Sequence, residues 1–450
     1  MNRQFCFSGG FQRFLILVTF LLLTGCGRDS AHTYYVDCKK GSDSNSGRSA
    51  SNAFRTIRKA SEVISPGEVC IVKKGNYPER VYIHTSGTKE NPITFKASGK
   101  GVVTKGFTVE ADFVRIEGFE ITSTSPKGWK EGAGIHLKGR GCRLTNNYIH
   151  DVFLEGIRLG DDLTSASTSN CLVSGNRMIR CGQAGIQICG QNNRVENNEI
   201  SGTVQWSKTN PQKLDADGMR FFGSGHVIKK NRVHSILLSD PENSDQPHID
   251  CAQTWGPASN IVFEDNDFSL GENTLNKEII MITEVTPPVG NIIFRNNIFH
   301  DAFRGLNIFG SHAPGHPSPI VDVKILNNTF AGFSDNAFEL HDTHDAKVIN
   351  NIFYECTSIF VDPKSRNANL ESGYNCYYRK GGRQTRGVKA SPSDLINVNP
   401  EFQDPAKKNF RLRSSSPLKG RGKVLYETGT DLPGKSIKKT KAPDIGAFIP

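Results

Sequence analysis

Ile292-Ile293-Phe294-Arg295-Asn296-Asn297-Ile298-Phe299 is one of eight copies of a single phrase in this 450-residue chain. The phrase is an apolar residue, two variable residues, Asn, one variable residue and an apolar residue. Its Asn positions are Asn147, Asn176, Asn198, Asn231, Asn266, Asn297, Asn328 and Asn351. Three residues before each stands Leu144, Val173, Val195, Ile228, Phe263, Phe294, Ile325 or Val348, and two residues after it Ile149, Met178, Ile200, Val233, Phe268, Phe299, Phe330 or Phe353. Intervals of 22 to 35 residues separate the Asn positions, so a coil recurs with loops of varying length let into it. One unit is too small to bury its own apolar residues, and stacking must do it. Val, Ile and Phe suit strands. Parallel strands stack roughly 4.8 Å apart, so an Asn at the same corner of each coil can bond the Asn above and below. Asn also tolerates the left-handed backbone of a tight corner.

A second strand recurs in every coil, at Gly134-Ile-His-Leu, Gly156-Ile-Arg-Leu, Gly185-Ile-Gln-Ile, Gly218-Met-Arg-Phe, His248-Ile-Asp-Cys, Ile279-Ile-Met-Ile, Gly305-Leu-Asn-Ile and Ala337-Phe-Glu-Leu. Its period of two sends alternate residues in and out. A leucine-rich repeat also carries an Asn ladder, but it needs Leu at several fixed sites and usually a helix; these repeats have Phe, Ile and Val at those sites and no helical period. The expected fold is all-β, a right-handed parallel β-helix. Residues 100–365 resemble the right-handed β-helix repeat family of surface and secreted polysaccharide-active proteins. That resemblance implies the fold far more than any one activity.

The ends divide the chain into an expected signal peptide (1–25), an N-terminal linker and cap (26–100), the β-helix (101–365) and a basic C-terminal segment (366–450). Arg3 and Arg13 precede the apolar run Phe14–Leu23, which is short for a membrane span and reads as a signal peptide. Leu23-Thr24-Gly25-Cys26 resembles the bacterial lipoprotein cleavage box. It implies lipidation of Cys26, a membrane partner through that anchor and a cell-envelope location, with Gly27 pointing to the outer membrane. The helical stretch Ala53–Ile64 belongs to the expected cap. Nine cysteines follow Cys26. Export permits disulfides, and Cys142 and Cys171 fall on consecutive coils as either a disulfide or stacked thiols; Cys38–Cys70 and Cys356–Cys376 are further possible pairs. Residues 362–450 hold 18 Lys/Arg against 8 Asp/Glu, a surplus equal to the net charge of +10. Such a tail suits an acidic polysaccharide or is simply a solvated basic cap. No nucleic-acid motif is present.

Chemistry is expected on the outward face of the second strand. In coil order that face reads His136, Arg158, Gln187, Arg220, His248 with Asp250, Met281, Asn307, and Glu339 with His341. Arg220 and Asp250 are expected to stack directly, at the least as a cross-strand ion pair. Removing the C5 proton of a uronate needs a cation on its carboxylate and a base on the C5 side. Arg suits the first job and His the second. The expected catalytic residues are therefore His248, Arg220 and Asp250, with Lys213 a possible acid. Arg158, Gln187, His136 and Asn307 are expected to bind substrate. Trp129, Trp206 and Trp255, in loops beside this strand, offer faces for sugar rings. Asp215, Asp217 and Asp245 offer oxygen ligands for calcium. Pro247-His248 with Asp250 resembles the Asp-Pro-His-Asp motif of mannuronan C5-epimerases, although Gln246 replaces its first Asp and Ile249 displaces its last. Gly225-His226 and Asp161-Asp162 echo polygalacturonase-type hydrolases at the wrong spacing. These residues together point to an exported enzyme acting on an acidic polysaccharide, as lyase or C5-epimerase. A glycoside hydrolase and a non-catalytic glycan-binding surface protein are the alternatives.

Overall fold

A computed structural model describes residues 32–161, 163, 167–206, 214–271, 277–283, 289–310, 319–356, 358–361, 366–380, 385–386, 389–425 and 442–447. The expected signal peptide and Cys26 lie outside the described residues, as do Asp162, Lys213 and the Trp129 side chain. The chain winds as a right-handed parallel β-helix. Among the described residues three long parallel sheets run its length, with 15, 13 and 12 strands. We call them the first, second and third sheets. In one coil the chain passes through Ala216–Phe221 on the third sheet, Val227–Lys229 on the first and Arg232–His234 on the second, then returns to the third at Asp250–Thr254.

The Asn phrase spans the corner between the first and second sheets. Asn147 donates from its backbone N–H and from Nδ2 to Oδ1 of Asn176, at 3.0 and 2.9 Å. The same pair of bonds repeats up the stack to Asn351, whose N–H and Nδ2 meet Oδ1 of Asn375. Asn375 is a ninth rung in a region read as lacking the phrase; Ser372 stands where an apolar residue was expected, which hid it. The left-handed residue at this corner is the one before each rung, including Asn146, Gly175, Asn197, Lys230 and Asp265. The ladder Asn supplies hydrogen bonds, and its predecessor supplies the turn.

Inside the coil the apolar positions stack in register. Phe268, Phe299, Phe330, Phe353 and Tyr377 form a column with ring centroids 5.0 to 6.1 Å apart. All nine cysteines after Cys26 are free thiols, and Cys142 and Cys171 donate to the carbonyls of Ala111 and Gly139.

Both ends differ from the expected division. Thr33–Val36 already pairs with Val69–Val72, so the coil stack begins well before residue 101. The helix is shorter than expected, Ile57–Val63, capped by Thr56, whose side chain accepts from the Lys59 N–H. At the other end Phe402–Asp404 and Asn409–Leu412 form an antiparallel pair. Phe402, Phe410, Leu418 and Ile445 pack with Ala331, Ile352 and Cys376 along the second sheet. Lys408 offsets part of the basic surplus by pairing with Asp301 at 2.6 Å, and Lys423 pairs with Glu371 within the segment at 2.7 Å.

Candidate active site on the third sheet

The outward column of the third sheet is fixed by backbone register. It runs His136, Arg158, Gln187, Arg220, Gln253, Met281, Asn307, Glu339. Gln253 takes the place expected for His248 and Asp250, and Arg220 does not stack on Asp250. The strand of that coil is Asp250–Thr254 rather than one beginning at His248.

A second line stands three residues upstream, where Asp217 follows Ala184 and the register continues Asp250, Glu278, Arg304. The Asp250 N–H donates to Asp217 Oδ1 at 3.1 Å, and the Glu278 N–H to Asp250 Oδ1 at 3.3 Å. Asp217 and Asp250 are fully buried and Glu278 is 2% exposed. Glu278 and the neighbouring Lys277 escaped the sequence reading. Aligning the coils on the acid would have found the line: Asp217-Gly-Met-Arg220, Asp250-Cys-Ala-Gln253 and Glu278-Ile-Ile-Met281 share one frame.

These acids hold the arginines. Arg220 Nε donates to Asp217 Oδ2 at 2.8 Å and its Nη2 to Asp215 Oδ2 at 2.7 Å, while its guanidinium lies 5.1 Å from the Trp255 ring centre. Arg158 is held the same way by Glu155, at 2.8 Å, through an identical acid-Gly-apolar-Arg frame. Both are buried. Arg158 and Arg220, expected to meet a sugar carboxylate, thus each arrive with a protein carboxylate already in place. Asp215 differs from the other holders, with its side chain 40% exposed.

His248 also reaches outside. Ile249 turns into the core, leaving His248 and Asp250 on one side. His248 Nδ1 lies 2.9 Å from Asp250 Oδ2. That nitrogen is buried, yet the side chain is 38% exposed, so the exposure belongs to the rest of the ring. The Asp250 contact pushes the His248 pKa up to about 9. Burial pushes Asp217 up to about 7 against the pull of Arg220, and burial together with the Asp250 charge pushes Glu278 up to about 8. Desolvation lowers the pKa of Lys277, whose Nζ donates to the Pro247 carbonyl and so braces the His248 segment.

The other expected residues scatter along the face. His136 is buried at the N-terminal end with Nε2 2.9 Å from Asp161, and burial depresses its pKa to about 4. Gln187 and Asn307 are buried in the column. The Trp206 indole donates to the Val152 carbonyl at 3.0 Å, away from Arg220. His226 is a structural group: it accepts the Asn193 N–H at Nδ1, and Nε2 meets the Phe222 carbonyl. The calcium trio does not assemble. The ligand atoms that come within 4.8 Å of one another belong to Asp217, His248 and Asp250, while Asp215 is spent on Arg220 and Asp245 is exposed. Two carboxylates and an imidazole, one carboxylate already bound to guanidinium, do not fit the all-oxygen shell calcium takes.

A family model described as a right handed beta helix region matches residues 81–268. A cell surface glycoprotein of Methanothermus fervidus is 31% identical over 117 residues, 23% of this chain and 18% of that protein. The uncharacterized protein YwoF of Bacillus subtilis is 28% identical over 154 residues, 31% of this chain and 32% of that protein. The chain thus spans under a third of either relative. Among solved structures, the complex of XylC with xylose superposes with a TM-score of 0.50 at 13% identity, covering 82% of this chain and 87% of that one. By fold, then, this protein is a right-handed parallel β-helix.

Proposed function

We propose that this protein is a carbohydrate-active enzyme that moves a proton at C5 of a uronate unit in an acidic polysaccharide, as a lyase or C5-epimerase. The half-exposed His248, backed by the buried Asp250 at 2.9 Å, carries the proposal. A buried carboxylate behind an imidazole fixes its tautomer and raises its basicity, as a proton-abstracting group requires. At neutral pH His248 rests as imidazolium, so abstraction uses the fraction that has lost its proton. Arg220 meets the substrate carboxylate by exchange: the exposed Asp215 leaves Nη2, and the sugar carboxylate takes its place there while Nε stays on Asp217. Trp255, against Arg220 and Phe222, offers a ring face beside that position. Export and lipid anchoring at Cys26 complete the proposal and put the enzyme at the cell envelope beside extracellular polymer.

One observation favours a second reading. Glu278, with its pKa near 8, stands next to the Asp250 carboxylate on the adjacent strand. A protonated acid beside an ionised one is the equipment of glycoside hydrolysis. Incubation with alginate, pectate and glycosaminoglycan separates the cases. A lyase yields a near-ultraviolet chromophore and an epimerase exchanges the C5 proton without cutting. A hydrolase releases reducing ends with neither signature.

A further inference from the structure

The turn entering the first sheet places one residue per coil in the left-handed region. Up the stack these are Phe113, Gly141, Asn170, Asn192, Gly225, Asn260, Asn291, Asp322, Asp345 and Asn369, with φ between +49° and +75°. Gly, Asn and Asp are the residues that tolerate this conformation. Phe113, at φ +54°, is the exception, and a bulky side chain there is strained. The next coil makes room for its ring: a Cβ on Gly141 would stand 2.4 Å from Phe113 Cε1.

Phe113 lies in a groove of about 760 Å³ on the outer face of the first sheet, away from the third-sheet site. Two residues beyond each turn residue comes the outward column Arg115, Arg143, Leu172, Arg194. Arg115 and Arg143 are direct register partners, and among the described residues neither forms an ion pair. Like charges directly opposite are destabilising. Lys89 and Arg140 add cations to the same groove, Arg140 being paired with Asp112 at 2.8 Å and Arg194 with Glu196 at 2.7 Å. Two disfavoured choices, a left-handed Phe and stacked unpaired arginines, thus meet in one concavity. An aromatic ring flanked by guanidinium groups matches a sugar ring bearing carboxylate or sulfate: the ring takes the apolar face and the forks take the anion.

We propose that this groove is a second, non-catalytic binding site for an anionic polysaccharide, centred on Phe113, Arg115 and Arg143. It stands independently of the third-sheet proposal, because none of its residues belongs to that site.

The test uses the whole protein carrying His248→Ala, so that turnover does not consume the ligand. Binding of polygalacturonate, heparin and neutral dextran is measured by calorimetry, alone and with Phe113→Asn or Arg115→Ala/Arg143→Ala added. Asn is what other coils carry at the turn, so Phe113→Asn should keep or raise the melting temperature. The expected result is binding of a charged chain but not of dextran, falling at least tenfold in both variants and weakening with salt. Polygalacturonate alone would identify carboxylate, heparin alone sulfate, and either supports the site. Unchanged affinity in the variants, equal binding of dextran, no binding of any charged chain, or binding only to anionic phospholipid vesicles would overturn it.

Discussion

Two polar columns climb this solenoid at one-coil spacing. In the Asn ladder each rung is neutral, buried and fully bonded: Asn266 accepts from Asn231 and donates to Ile228 and Asn297. On the third sheet the corresponding interval stacks Asp217, Asp250 and Glu278, all buried, with Glu278 Oε2 and Gln253 Oε1 lacking a hydrogen-bond partner among the described residues and Asp250 Oδ2 facing His248 Nδ1 at 2.9 Å. Neighbouring rungs of neutral amides satisfy one another. Neighbouring carboxylates repel, and burial raises their cost. A fold that can build the first column has no structural need of the second, and that contrast separates scaffold from site.

The contrast can be broken by exchanging the consequences of mutation. His248→Ala should lower turnover on the order of a thousandfold while the protein still folds, with a drop in melting temperature at neutral pH, from loss of the pair with the buried Asp250, that fades as pH passes 9; kinetics and a thermal melt read the two effects. Asn266→Ala should do the reverse. It strips four ladder bonds around a buried rung and should cost about 2–4 kcal/mol in denaturant unfolding while active-site chemistry survives. Loss of turnover in the ladder variant without loss of fold would erase the distinction.

Titration sharpens it further. Glu278 is raised from 4.5 to about 8, so the unfolded chain ionises first and stability falls as pH climbs between those values. Glu278→Gln should flatten that slope in melts taken across the range. His248 is raised from 6.5 to about 9, so its contribution to stability is whole below 6.5 and lost as pH passes 9. As a base it works only unprotonated, and kcat/KM should therefore rise with pH toward 9. A rate falling over that interval would make it an acid instead. The smallest expected effect is at Asp215. If a sugar carboxylate displaces it from Arg220, Asp215→Asn should lower KM roughly fivefold with kcat little changed.

The ladder was legible because its signal is local: an apolar residue, Asn and an apolar residue at fixed offsets. It faded only at Asn375, where Ser372 interrupts the offset. The site was legible in part. His248 and Asp250 drew attention as residue types, but Pro247-His248-Ile249 imitates the alternation of a strand, and the register slipped. The slip hid Glu278 and gave Arg220 the wrong neighbour. Nor can spacing show that Arg158 and Arg220 come already paired, since an alternating strand pattern gives no sign that the arginine reaches back to the acid three residues before it. The raised pKa values of Asp217 and Glu278 arise chiefly from burial, and that of His248 from its contact with Asp250.

Proton traffic at C5 tests the central claim most directly. Alginate and pectate deuterated at C5 would be incubated with wild-type protein and with His248→Ala, and release of deuterium to water followed. Washout from one polymer by wild type, lost in the variant, is the predicted result, and it holds for lyase and epimerase alike. Reducing ends without washout, or washout that persists in His248→Ala, would contradict it.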